Sequence, residues 1–234
     1  MANVANEIEG RLGRYQRKSL ADQVYLDLKK LLLSGAIAPG EKVTLRGLAE
    51  SIGTSPMPVR DAVRRLVSER ALEMLPNRTL CVPTPTLAQF REIVAIRCSL
   101  EGLATEAASV KLPSVALAQI NDAKDRYEAI ARAEVVSTED MVEANRELHF
   151  TLYRESGMPV LVSIIEGLWV QVAPVFSLSM STKVREVENM ESFHHHLRLV
   201  AALECRDVAA ARDAVVADIQ DAAHFIEHAG VLRG

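Results

Sequence analysis

The fold is decided by "GTSPMPVRDAVRRL", residues 53–66. Pro56 and Pro58 stand directly behind Ser55, a good N-cap residue, and fall in the first helical turn, where backbone N–H groups have no helical partner to lose. The prolines therefore start a helix. The spacing predicts that it runs to about Arg70, with Ala62, Val63, Leu66 and Val67 on the buried side and Arg60 and Arg64 on one outward stripe at i, i+4.

Working outward, "TLRGLAESIG" (residues 44–53) reads as a short helix with Thr44 as N-cap and Gly53 just past its end. "AIAPGEKV" before it is a Pro-Gly turn. Further upstream Leu20, Val24, Leu28, Leu31 and Leu32 mark an amphipathic helix, opened by Ser19 and closed by Gly35. Downstream, "ALEML–PNRT–LCV" (residues 71–82) is a small hairpin with a four-residue turn. Three helices with a tight second turn and then a hairpin form the layout of a winged helix-turn-helix. Its third helix enters the DNA major groove N-terminus first. Arginines behind the Ser-Pro turn thus sit where a helix N-terminus meets phosphates and base edges.

Charge supports a division of labour. Residues 11–80 hold 13 Lys and Arg against 7 Asp and Glu, whereas residues 89–234 hold 14 against 22. A basic first third on an acidic remainder predicts one part facing phosphate and another facing something else. Aromatics make up only 4% of the chain, so its core rests on Leu, Val, Ile and Ala, which favours helix on helix. Cys81, Cys98 and Cys205 are isolated and form no CxxC pair, which suits a reducing cytosol. The N-terminal stretch lacks the apolar run of a signal peptide. The most apolar segment, residues 159–176, is interrupted by Glu166, Gln171 and Pro174 and reads as a buried core helix with no membrane partner. A cytoplasmic protein is expected.

Residues 18–83 resemble the DNA-binding domain of the GntR family of bacterial transcription regulators. The resemblance rests on the Pro-Gly turn, the Leu-Ala helix, Ser55-x-x-Pro58-Val59-Arg60-Asp61-Ala62 and the closing hairpin. It implies that Arg46, Ser55, Met57, Arg60, Arg78 and Thr79 face DNA, and the helical spacing adds Arg64. Two departures stand out: Pro56 replaces an Arg common after the Ser, and Thr79 replaces the usual wing-tip Gly.

Beyond a Pro/Thr linker at 84–88, which ends in a capping box of Thr86 with Gln89, helix follows helix. Expected spans are 87–110, 114–133, 138–156, 159–180 with a break at Pro174, 186–204 and 208–229, separated by Pro113, Gly157-Met158-Pro159 and Arg206-Asp207. The predicted fold is therefore mainly α: an N-terminal tail (1–17), a winged helix-turn-helix with a small β-hairpin wing (18–83), the linker, and an all-α antiparallel bundle over 89–230.

"RCSLEGLATEAA", "NRELHFTLYRESGMPVL" and "HHHLRLVAALECRDVAAAR" are similar to the FCD ligand-binding domain of the FadR subfamily. Such domains often hold a divalent metal beside a small carboxylate effector. The resemblance places the ligand positions on Asn145, His149, His196 and Asp218. The family commonly has His at the last of these, so Asp218 shifts the set toward mixed nitrogen and oxygen, suited to Zn, Ni, Mn or Fe. Asn145 and His149, four apart, share a helical face, and His195 is the neighbouring candidate should the register slip. The other reading makes His194–His196 a polar helix surface and His149 a hydrogen-bonded core residue. Arg97 also has two readings: a bidentate clamp for an effector carboxylate, or an i, i+4 salt bridge with Glu101.

The expectation is a DNA-binding regulator, read as a repressor, working as a homodimer on a near-palindromic operator under the control of a small organic acid. Two alternatives are an architectural DNA-binding protein with a purely structural bundle and a helical metal hydrolase using His149, His196 and Asp218. No GxSxG nucleophile motif supports catalysis.

Overall fold

The computed structural model describes residues 19–77, 79–133, 136–182 and 191–233. The tail 1–17, Arg78 and the expected helical start at 186–190 lie outside the described residues.

Ser19 opens helix α1 (Leu20–Leu33) through a capping box with Asp22, and Gly35, at φ +70°, ends it. Val24, Leu28 and Leu32 are buried as the periodicity requires, whereas Leu20 and Leu31 remain exposed. Thr44 caps α2 (Leu45–Ser51) by accepting from the Gly47 N–H. Helix α3 (Pro56–Ser68) starts at the two prolines and buries Val59, Ala62, Val63 and Leu66. It stops two residues short of Arg70, which adopts a left-handed φ of +58° and turns the chain toward the wing.

The wing has more than the expected hairpin. Strand β3 (Thr79–Cys81) pairs antiparallel with β2 (Glu73–Met74) on one side and with β1 (Lys42–Thr44) on the other, in the order β1-β3-β2. The segment read as a turn supplies β1. Three residues are too few to show alternation in sequence, but they fill an edge that β3 would otherwise leave unpaired.

Six helices follow among the described residues: α4 (Leu87–Ser109), α5 (Ser114–Ala131), α6 (Thr138–Arg154), α7 (Pro159–Thr182), α8 (Glu191–Cys205) and α9 (Val208–Ala229). The capping box at Thr86 and Gln89 forms, with hydrogen bonds in both directions. Helix α9 packs along both α4 and α8, and α5 packs along α6. The break expected at Pro174 is absent: α7 runs through it. A proline inside a helix costs about 3 kcal/mol, but burial of Val172, Ala173 and Val175 on the same turns outweighs that local cost.

The two halves meet along α1 and α7. Lys29 Nζ donates to Glu166 Oε2 at 2.8 Å, and Gly35 lies so close to α7 that a Cβ there would collide with Ser177. The C-terminal end returns to the linker, where the Arg233 N–H donates to the Pro85 carbonyl and the Leu87 N–H to that of Arg233.

Candidate DNA-binding surface and bundle site

The amino end of α3 is open to solvent. Ser55 stands in N-cap geometry without a side-chain cap bond, and Met57 is 62% exposed, an unusual degree for an apolar side chain. Arg60 and Arg64 lie on the same exposed stripe, with Arg64 only 3.6 Å from Asp61, a loose solvent-side pair. Arg46 on α2 is exposed as well and donates to Glu50. Thr79 is half-buried at the start of β3, its N–H held by Asn77 Oδ1. Arg65, the remaining basic residue of the stretch, works inward: it donates to Asp22 Oδ1 at 2.7 Å and stacks on the Tyr25 ring at 3.7 Å, tying α3 to α1.

In the bundle, α6, α8 and α9 bring His149, His196 and Asp218 together. Their ligand atoms all lie within 4.8 Å of one another, and all three residues are buried. His149 Nε2 is 3.1 Å from Asp218 Oδ2, and His196 Nε2 is 3.7 Å from the same oxygen. Asn145 lines the same cavity beside Asp218. His195 does not join them; it turns to Asp221 and accepts from Arg198.

The hydrogen bonds around His149 orient its ring. The Tyr153 hydroxyl donates to Glu101 Oε2 at 2.6 Å, so its oxygen is left to accept from His149 Nδ1 at 3.2 Å. The His149 Nε2 turns to Asp218 Oδ2, 3.1 Å away, and these two atoms would both be available to hold a cation. His196 is the sharper case: both its ring nitrogens are buried and lack a hydrogen-bond partner. Leaving such groups unmet costs about 1–3 kcal/mol each. Burial holds the His196 ring below its ordinary value, which keeps it neutral and able to ligate. Burial also pushes the Asp218 carboxyl up, but the two histidines more than offset this and hold it far below the usual carboxylate range. Two imidazoles, a carboxylate and a nearby amide are a donor set that fits a divalent transition metal.

Arg97 realises one of its readings in full: Nε donates to Glu101 Oε1 at 2.6 Å in a buried pair. It also stacks over Trp169 at 4.7 Å and lines the cavity that Asp218 and Asn145 line. Glu101 accepts from Trp169 Nε1 at 3.0 Å as well, so a single carboxylate gathers Arg97, Tyr153 and Trp169. Sequence reasoning found Glu101 only as a partner for Arg97. The i, i+4 spacing of His149 and Tyr153 was the available signal for the rest; Trp169, the chain's one tryptophan, gave none of its own.

A winged helix-turn-helix with an exposed basic recognition helix, joined to a helical bundle with an internal polar site, defines a DNA-binding transcriptional regulator. The family models agree: residues 20–82 match the bacterial regulatory proteins of the gntR family, and residues 92–221 match the FCD domain. The chain belongs to the GntR family and carries an FCD domain. It is 33% identical over 195 residues to the HTH-type transcriptional regulator McbR of Escherichia coli (strain K12), covering 83% of this chain and 87% of that one. The solved structure of E. coli McbR/YncC superposes with a TM-score of 0.83 at 31% identity, covering 90% of this chain and 98% of the other. A GntR regulator from Rhodococcus sp. RHA1 shares the fold at a TM-score of 0.74 and 17% identity, covering 89% of this chain and 97% of that one.

Proposed function

We propose that this regulator binds a divalent metal through His149, His196 and Asp218, with Asn145 adjoining, and a small carboxylate effector beside it, and that occupancy lowers its affinity for operator DNA, making it an effector-released repressor in the cytoplasm. The observation that carries this reading is the buried His196 ring, whose nitrogens have no hydrogen-bond partner and whose Nε2 converges with His149 on the Asp218 carboxylate. A structural histidine in a core is hydrogen-bonded; this one is not. When bound, the metal supplies Lewis-acid positions for an oxygen ligand. Arg97 would meet the effector's carboxylate from the cavity wall, its Nε held in place by Glu101.

Helix α7 offers a physical route from cavity to DNA-binding half. Trp169, Val172, Ala173 and Phe176 line the cavity, while Glu166 of the same helix binds Lys29 of α1 and Ser177 lies close against Gly35 just beyond it. A ligand that binds one placement of α7 better than another biases α1 with it, with about 1–3 kcal/mol of coupling typical of such switches.

The proposal includes a homodimer on a near-palindromic operator, because one helix-turn-helix reads too few base pairs. Its support is a set of exposed apolar side chains: among the described residues, Ile96 and Leu103 on α4 and Val160 and Ile164 on α7 are 40%, 44%, 74% and 50% exposed. For DNA contact the exposed set is Arg46, Ser55, Met57, Arg60 and Arg64, with Thr79 on the wing.

The test is the double variant His149→Ala with His196→Ala, read by elemental analysis and by operator titration with and without candidate acids. Metal content and acid response are expected to vanish while acid-free operator binding stays close to wild type. A stoichiometric metal in the double variant, or an unchanged response, overturns the proposal.

A further inference from the structure

The tip of α3 is apolar in both backbone and side chain. A helix start leaves its first few backbone N–H groups without helical partners. Pro56 and Pro58 remove two of them, and the residue between is Met57. Positions 56–58 therefore offer no side-chain donor and a single N–H, that of Met57. Val59, Val63 and Leu66 of the same helix are fully buried, whereas Met57 is 62% exposed. A lone exposed apolar side chain is ordinary. This one, however, stands at i, i+3 and i+7 with exposed Arg60 and Arg64, on the stripe assigned to DNA.

The neighbouring arginines divide the work of recognition. Arg46 pairs with Glu50 at 2.8 Å, Arg64 lies 3.6 Å from Asp61, and Arg65 is bound to Asp22. Among the described residues, Arg60 is the arginine of α2 and α3 that no carboxylate holds. Its guanidinium can fork onto acceptors in the major groove, such as O6 and N7 of guanine. Met57 has no such chemistry. The major-groove edges present one apolar group, the 5-methyl of thymine; the donors and acceptors beside it lose hydration to an apolar contact and gain nothing back. An unbranched, flexible thioether adapts well to a methyl group at an irregular surface. Three residues of helix advance about 4.5 Å, a little over the roughly 3.4 Å of one base-pair step, so the two side chains address bases one or two steps apart.

We propose that Met57 is a specificity residue that reads the 5-methyl group of a thymine one or two base pairs from the base that Arg60 reads. This rests on the assignment of α3 as the recognition helix. The probes are duplexes recovered by full-length protein from a random-sequence DNA library, with each thymine replaced in turn by deoxyuridine. That change removes the methyl and leaves the hydrogen-bonding edge intact. At matched salt, one deoxyuridine position in each half-site should weaken wild-type binding by about fourfold, the ratio expected for one methyl-sized group left in water. Met57→Ala, a change that an exposed helix position tolerates, should bind the thymine and deoxyuridine forms equally there. Replacing that T·A pair by C·G should weaken wild-type binding, and 5-methylcytosine should recover about fourfold over cytosine.

Deoxyuridine without effect at every position, a deoxyuridine effect that Met57→Ala retains, or 5-methylcytosine no better than cytosine overturns the proposal. Arg60→Ala on the same duplexes separates this from the reading beneath it: weakened binding keeps α3 as the recognition helix, and binding like wild type removes both. A selection that enriches no common sequence also overturns both.

Discussion

At the scale of single residues, two side chains carry most of the testable content. Arg60 heads the exposed stripe of α3, so Arg60→Ala should weaken operator binding by about 1–3 kcal/mol at matched salt; unchanged binding by fluorescence anisotropy would remove α3 from the recognition role. His196 gives a pH signature. Burial keeps its ring below the ordinary value of 6.5 in the folded protein, whereas the unfolded chain titrates near that value. As pH falls through this range the unfolded state takes up a proton that the folded state resists. Metal-free protein should therefore lose stability on the acid side, by at most about 1.4 kcal/mol per pH unit. Asp218 acts in the same sense lower down: its contribution is complete above its ordinary value of 3.8 and fades as pH drops below it. Melting curves of chelated protein between pH 7 and pH 5 check the first effect, and His196→Phe should flatten the slope. Arg60 was legible from spacing alone because solvent exposure follows from helical period. The missing partners of His196 were not, since they depend on three helices at once.

At the scale of elements, α7 is where local rules and tertiary context part. Pro174 reads as a stop, and the helix nevertheless continues, because packing on both sides of the proline outweighs one lost backbone hydrogen bond. The same helix connects the two halves through Glu166, whose partner Lys29 has a side chain only 11% exposed. Glu166→Gln should cost about 1 kcal/mol of stability, modest because Glu166 is itself a third exposed. Its larger effect should be on coupling: acid-induced loss of operator affinity should shrink while metal content stays stoichiometric. An undiminished acid response would place transmission elsewhere, the linker at 84–88 being the alternative route. Helix starts, by contrast, were readable at Ser19, Thr44 and Thr86, because an N-cap bonds only to its own first turn.

At the scale of the whole molecule, the exposed apolar side chains of α4 and α7 predict the assembly. Leu103→Glu with Ile164→Glu should yield a monomer by sedimentation and lower affinity for a palindromic operator, while affinity for a half-site changes little. A dimer that persists would move the interface to another face. What the sequence determined by itself is what local chemistry controls: the winged helix-turn-helix order, the helix boundaries set by caps and breakers, the basic stripe of α3 and the division between a basic and an acidic half. The tertiary structure alone decided the third strand of the wing, the passage of α7 through Pro174, and which polar groups meet in the bundle. His149, His196 and Asp218 lie far apart in the chain, and adjacent His195 and His196 part ways by helical phase, one to Asp221 and the other to the cavity. Caps and periodicity act over one or two turns, whereas a site shared among α6, α8 and α9 exists only once those helices have packed.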